Sequence, residues 1–375
     1  NLLSTLVQCI AIFAVATGVW ALWAYSLAFG PSVGGFVGSL KYALLKAVGN
    51  TPNPDYAANI PHLAFAFFQM KFAAITPALI IGAFAERIRF KSLLVFIVVW
   101  ATVVYAPVAH WVWGVGGWLR NLGALDFAGG TVVHVLAGAS ALAAATVIGR
   151  RQQGPECEAG PCNIPYVILG ASLLWFGWFG FNAGSALAMN GVAVSALFTT
   201  NVAAAFATLS WMAVDWYRTG KPSASGAAIG AVCGLVAITP AAGYVDVPAA
   251  MAIGLLAGLV CQYVMILTKR TRLDDTLDVF ACHGVGGIWG ALATGLFAQK
   301  LVNPAGADGL LFGNPHQLLV QAVAVVAAAA WGFGGSWVVL KVLDWVMGLR
   351  VTPEEELLGL DMTQHGEAAY QLQFN

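Results

Sequence analysis

Ten stretches of this chain stay apolar for about twenty residues at a time, and no other feature limits its fold as strongly. They run roughly over 2–28, 62–85, 92–111, 131–149, 164–184, 192–216, 224–239, 247–268, 279–298 and 317–347. A run of that length with few charges crosses a bilayer as a helix, because its backbone polar groups are all satisfied within the segment. Barrel strands would need strict alternation over about ten residues, and these runs lack it. Charged residues make up 9% of the 375, against roughly a quarter in soluble domains, which excludes a soluble fold. The expectation is an all-α polytopic membrane protein seated in a lipid bilayer. The last run exceeds what a bilayer needs and is expected to tilt or project. The formal net charge is zero, so no nucleic-acid partner is expected. No basic segment precedes the first apolar run, so no signal peptide is read. Asn1 in place of Met suggests a cleaved or truncated start.

The charges set the orientation. The connections 86–91, 150–163, 217–223 and 269–277, with the tail side, carry twelve cations: Arg87, Arg89, Lys91, Arg150, Arg151, Arg218, Lys221, Lys269, Arg270, Arg272, Lys341 and Arg350. The opposite connections carry four, Lys41, Lys46, Arg120 and Lys300. Short loops rich in Lys and Arg stay inside, so both ends of this chain are expected in the cytoplasm and the protein in the inner (plasma) membrane.

Two histidines stand where water should be absent. His134 lies in "GGTVVHVLAG" of the fourth run and His283 in "ACHGVGGIWG" of the ninth, five runs apart. Each follows an aspartate, Asp126 in "DFAGGTVVH" and Asp278 in "DVFACH". The spacing suggests two inverted five-helix repeats followed by a long last helix, with one helix of the first unit preceding Asn1. An ionisable side chain within a span is costly and marks function by default, although one histidine alone could simply bond a neighbouring helix. Gly129, Gly130, Gly138, Gly284, Gly286 and Gly287 flank the pair and would let the helices approach until the imidazoles meet. Imidazole titrates near neutrality, so such a pair can both donate and accept protons.

No metal or cofactor is expected. The six cysteines have no four-ligand spacing, and Cys157 and Cys162 in "CEAGPC" fall on the reducing side of the membrane. There is no paired acid–base carboxylate, nucleophile motif or nucleotide loop, so an enzyme is a poor reading.

The segments "GAFAERIRF", "DFAGGTVVH", "GWFGFNAGS", "DVFACHGVGGIWG" and the tail "GLRV…GLD…HGEAAY" resemble, in order and across the whole chain, the ammonium transporter (Amt/Mep/Rh) family, and the bacterial Amt branch in particular. The resemblance implies eleven helices, the first absent from this chain, an outside N-terminus and a homotrimer. Carried over residue by residue, it assigns His134 and His283 to the twin-histidine pore and Phe72 and Phe181 to a stacked gate. Trp113 and Ser185, with Phe68 as a neighbouring wall, become the outer ammonium recruitment site. Asp126 becomes a buried pore-mouth carboxylate and Trp178 a pore-side aromatic. The implied activity is recruitment of ammonium, its deprotonation, and passage of ammonia with the proton relayed. The physical logic is sound: aromatic walls attract the cation, and a serine oxygen accepts one of its N–H bonds. Potassium cannot shed the cost of entering an apolar pore by losing a proton.

Plainer readings stand beside these. Phe72 and Phe181 could be ordinary span aromatics, and Trp113 could join Trp111 and Trp118 in an interfacial belt. Asp126 could cap the helix that begins just after it. His62 and His316 sit at span edges and read as interfacial, and His110 has no assigned role. Lys71, directly before Phe72, either snorkels along the outer surface or faces the vestibule, where its charge would repel ammonium.

The chain divides into a transmembrane unit, 1–347, and a cytoplasmic tail, 348–375. Pro353 followed by three glutamates predicts a short helix. The resemblance makes Gly348, Arg350, Gly359, Asp361, His365, Gly366 and Tyr370 a regulatory tail motif, with a PII signal protein as possible partner. The rival class is a non-conducting ammonium-sensing receptor module of a signalling protein.

Overall fold

The computed structural model describes residues 1–152, 160–161 and 163–370. Cys157, Cys162 and the terminal QLQFN lie outside them. Among the described residues, nine helices are long and apolar enough to cross a membrane. They are α1 (Leu2–Phe29), α2 (His62–Phe84), α3 (Phe90–Leu122), α4 (Gly130–Ile148), α5 (Ile164–Ala186) and α6 (Gly191–Thr219), then α8 (Val247–Thr268), α9 (Phe280–Phe297) and α10 (Pro315–Met347). The seventh apolar run forms the shorter helix α7 (Ala224–Ile238). The ten expected runs are therefore all helical, and the fold is all-α. The remainder includes two small antiparallel hairpins, 32–38 and 52–61, between α1 and α2.

Local sequence explains where the helices begin. Asn163, Asn190, Ser223 and Asp246 each accept a hydrogen bond from the backbone N–H three residues on, which starts α5, α6, α7 and α8. Proline follows the cap of α8 and of α10, where its missing N–H costs nothing. Small residues on α6, α7 and α8 let the backbones touch: a Cβ on Gly234, Gly254 or Gly258 would strike the α6 backbone.

The internal repeat is clearest at its two histidine-bearing helices. Both α4 and α9 open on a six-residue π-helical stretch, Gly130–Val135 and Phe280–Val285, before continuing as α-helix. A π turn holds one residue more than an α turn and often marks a functional segment. The aspartate pairing read from the sequence needs correction here. Asp275, not Asp278, is the counterpart of Asp126, because its Oδ2 accepts the Phe280 N–H at 2.7 Å, five residues on, as Asp126 Oδ2 accepts that of Thr131. Asp278 instead lies 3.9 Å from the Lys269 ammonium and adopts a left-handed backbone, φ +54°.

The last helix ends at Gly348, and the chain turns back under the bundle. Arg89 and Val351 donate backbone hydrogen bonds to Leu349 and Arg87, laying the tail against the α2–α3 connection. The expected short helix is present as α11 (Pro353–Leu358), opened by a reciprocal Thr352–Glu355 capping box.

Candidate functional site

The centre of the site arises from a crossing of glycines. A Cβ on Gly138 would overlap the Cα and N of Gly284, so α4 and α9 meet backbone to backbone. On the other side of the crossing, a Cβ on Gly287 would come within 2.9 Å of the His134 Cβ. This contact brings the two imidazoles together: His134 Nδ1 and His283 Nδ1 are 3.2 Å apart, with ring centroids at 5.2 Å, and both side chains are buried. Across that bond one ring carries the proton on Nδ1 and the other offers its lone pair. The two neutral rings then present opposite polarities at their Nε2 atoms, and the Nε2 of His134 has no partner among the described residues.

A continuous run of aromatic rings leads from this pair. Trp178 stacks on His134 at 5.4 Å and Phe181 lies 6.1 Å from it. Phe181 meets Phe72 at 4.5 Å, the closest contact in the run, with the rings tilted by 46°. Phe72 meets Phe68 and Trp113 edge-on, at 4.9 and 5.5 Å. The predicted gate pair, pore aromatic and outer wall therefore come together from α2, α3 and α5.

Outside the ring pair lies a cavity of about 610 Å³ whose lining includes Phe68, Phe72, Trp113, Asp126 and Ser185. The Ser185 hydroxyl donates to the carbonyl of Phe181, which leaves its oxygen lone pairs free to accept from a cation. Asp126 does cap the helix after it, more completely than the sequence suggested. Its two oxygens accept the N–H groups of Gly129 and Gly130, and of Thr131 and Val132, at 2.6–3.0 Å. Its backbone carbonyl accepts the Trp113 indole N–H at 2.9 Å. Trp113 thus belongs to the cavity wall. Trp111 is not in an interfacial belt either, being buried between Trp118 and Trp331.

Other residues sit where the sequence did not put them. His62 is buried, its Nε2 2.5 Å from the Tyr25 hydroxyl, because α1 and the hairpin loops cover the end of α2. His110 is also buried, between the carbonyl of Ala28 and the hydroxyl of Ser32. Lys71 points away from the cavity, its ammonium 4.3 and 4.8 Å from the rings of Phe67 and Phe13 on the outer face. The repulsion of ammonium by Lys71 in the vestibule therefore does not arise. The cavity also holds residues that sequence reading missed, chiefly Tyr56, Arg120 and Tyr244. Tyr56 and Tyr244 come from loops without periodicity and Arg120 from a single short helical turn, so no pattern marked them.

At the opposite end of the bundle, Arg87 is wholly buried rather than solvated in a loop. Its guanidinium donates to the carbonyls of Ala83, Gly149 and Asp274 and to the Thr276 hydroxyl, tying the end of α4 to the segment before α9. Burial pulls its pKa down against the opposing pull of the Asp274 carboxylate, to about 10, so it stays charged at neutral pH.

The predicted tail residues assemble on the same end. Arg350 pairs with the buried Glu356 at 2.8 Å and donates to the carbonyls of Ile148 and Arg150. Asp361 caps the start of α1 through the N–H groups of Leu3 and Ser4, and His365 packs edge-on against Phe90. Gly348, Gly359 and Gly366 all have φ between +71° and +91°, which explains glycine at each. Tyr370 is exposed. Arg350→Ala strips the partner from a buried carboxylate; breaking a fully buried pair costs about 3–5 kcal/mol, and the partial exposure of Arg350 makes this loss smaller. Limited proteolysis should then cut within 353–370 at protease levels the parent protein resists; equal resistance would show that this pair does not hold the tail.

Comparison with known proteins bears on this arrangement. Residues 1–370 match the family model described as Ammonium Transporter Family. The chain is 50% identical to the ammonium transporter of Bacillus subtilis (strain 168), over 99% of this chain and 91% of that protein. Among solved structures, Saccharomyces cerevisiae Mep2 superposes with a TM-score of 0.87 at 36% identity, covering 92% of this chain and 80% of Mep2. A protein named Sensor Amt Protein also superposes with a TM-score of 0.87, at 32% identity, covering 97% of this chain and 90% of its own.

Proposed function

The chain belongs to the ammonium transporter family, and from that premise we propose that it moves ammonium across the membrane by separating it into ammonia and a proton. The cation enters the outer cavity, where the Trp113 and Phe68 rings attract it and the Ser185 oxygen accepts an N–H bond. Asp126 fixes the cavity wall and biases the local field toward a cation. At the Phe72–Phe181 pair the bare ion would pay a heavy desolvation cost, which ammonium avoids by releasing its proton. Ammonia then meets the His134–His283 pair, which offers one donor and one acceptor and carries the proton along. Trp178 closes that wall of the pore.

The observation that carries this reading is the 3.2 Å contact between two buried imidazoles beneath a closed aromatic pair. Residues 1–347 would form the transport unit and 348–375 a cytoplasmic regulatory tail. The protein would sit as a homotrimer in the plasma membrane, the tail being the surface open to a PII signal protein.

The test is a current recorded on a solid-supported membrane after an ammonium pulse to purified protein in liposomes. A saturable current is expected, and the double variant His134→Ala/His283→Ala should lose it while remaining folded. Wild-type current persisting in the double variant would overturn the proton-relay role. The likeness to Sensor Amt Protein favours a second reading, a non-conducting ammonium-sensing receptor module. Ammonium binding by calorimetry with no wild-type current would select that reading.

A further inference from the structure

Trp113 ends the helical stretch Ala106–Trp113, where the last carbonyls have no partner within the helix. One of them, the Trp113 carbonyl, is taken by Arg120, whose Nη1 donates to it at 2.6 Å. Arg120 comes from the turn of helix Trp118–Leu122, just beyond the bend at Gly114–Gly117. Cations are favoured at the C-terminal end of a helix, and a guanidinium can hold a carbonyl there while reaching across the bend. The same side chain lines the outer cavity, beside Tyr56 and Tyr244. Tyr56 in turn accepts the Val115 N–H, so the backbone from 113 to 115 is held from the cavity side.

Two consequences of Arg120 oppose each other. As a fixed positive charge at the mouth of a cavity that is to receive a cation, it repels ammonium. As a tie on the Trp113 backbone, it keeps the indole edge-on to Phe72 and in hydrogen-bond reach of the Asp126 carbonyl. Magnitudes decide between them. Arg120 is exposed, so its repulsion acts through water, whose high dielectric constant weakens it at every distance, and salt screens it further beyond about 8 Å at physiological ionic strength. The tie is a contact interaction, and it fixes the backbone of the residue that forms the cation's wall.

We propose that Arg120 is a positioning residue of the outer recruitment site: it sets the placement of the Trp113 indole, and this outweighs its repulsion of the incoming cation. The proposal rests on the reading of the outer cavity as the place where ammonium is received. It also predicts that tightness of recruitment depends on a cation that belongs to neither the gate nor the histidine pair.

The test compares the concentration dependence of the ammonium current for Arg120→Met, Arg120→Lys and the parent protein in liposomes. Methionine keeps the apolar stem and removes both the charge and the donor. The KM is expected to rise about five-fold in Arg120→Met, as for one lost hydrogen bond of ordinary net strength at an exposed site, with the maximal current within two-fold of the parent. Arg120→Lys, a point donor in place of a fork, should fall between them. A KM that drops in Arg120→Met would make repulsion the dominant role and overturn the proposal. A fall in maximal current with KM unchanged would overturn it as well, leaving only a general structural role. If the parent protein binds ammonium without current, the transport reading fails, and the same comparison is read as Kd by calorimetry with the same expected order.

Discussion

Asp126→Ala should leave the protein unable to hold its outer pore wall, with a loss of several kcal/mol in stability. Four backbone N–H groups, those of residues 129–132, end on this one buried carboxylate. Each buried donor left unpaired costs about 1–3 kcal/mol, so even partial rearrangement leaves on the order of 4 kcal/mol unrecovered. That is a large share of the 5–15 kcal/mol that keeps a typical domain folded. Asp126→Asn is informative in a different way. The amide keeps one accepting oxygen and turns the other position into a donor facing two N–H groups, so the loss should be smaller but still clear. Thermal unfolding of the solubilised protein, followed by size-exclusion recovery after heating, gives the order wild type, Asn, Ala. An alanine variant that melts with the wild type would refute the capping role, and an asparagine variant worse than alanine would refute the account of how the load is shared.

The second large effect is expected from adding one methyl group at Gly138. Its Cβ would fall on the backbone of Gly284, not on a side chain that could turn aside, so α4 and α9 must part by more than an ångström. Overpacking of this kind costs about 1–3 kcal/mol. The functional loss should be greater than the stability loss, because separation also opens the 3.2 Å contact between His134 and His283. Gly138→Ala is therefore expected to fold with a lowered melting temperature and to lose most of its ammonium current. Gly170→Ala serves as the control, since a Cβ there meets nothing within 4 Å. Should Gly138→Ala carry normal current, the glycine crossing does not set the distance between the imidazoles.

Much of this was legible in the sequence because a bilayer makes hydropathy nearly decisive. The ten apolar runs, the two histidines and the glycines that let them meet all came from that single constraint. The residues proposed for the gate and the recruitment site came through family resemblance, and their apolar character alone would have passed for ordinary span packing. The features that stayed hidden have a common cause: they depend on which group a side chain reaches. Arg87 counts as one more loop cation until four acceptors from three segments surround it. His62 looks interfacial until Tyr25, thirty-seven residues away, covers it. The mistaken pairing of Asp278 had a remedy in plain sight, since Asp126 and Asp275 each precede their histidine by eight residues. The π-helical stretches left no trace, because a run that is apolar all round has no polar face whose period could shift.

Those stretches have a consequence for which changes the pore can absorb. In each half a carboxylate anchors the start of a widened turn, and the histidine sits a fixed eight residues along. A turn that is already widened has no slack for another residue, so one residue added to either interval would swing the rest of the helix by about 100°. The imidazole would then point into a neighbouring helix, however well every remaining side chain suited its place. Side-chain identity within 127–133 and 276–282 can thus vary where packing allows, whereas neither interval can lengthen.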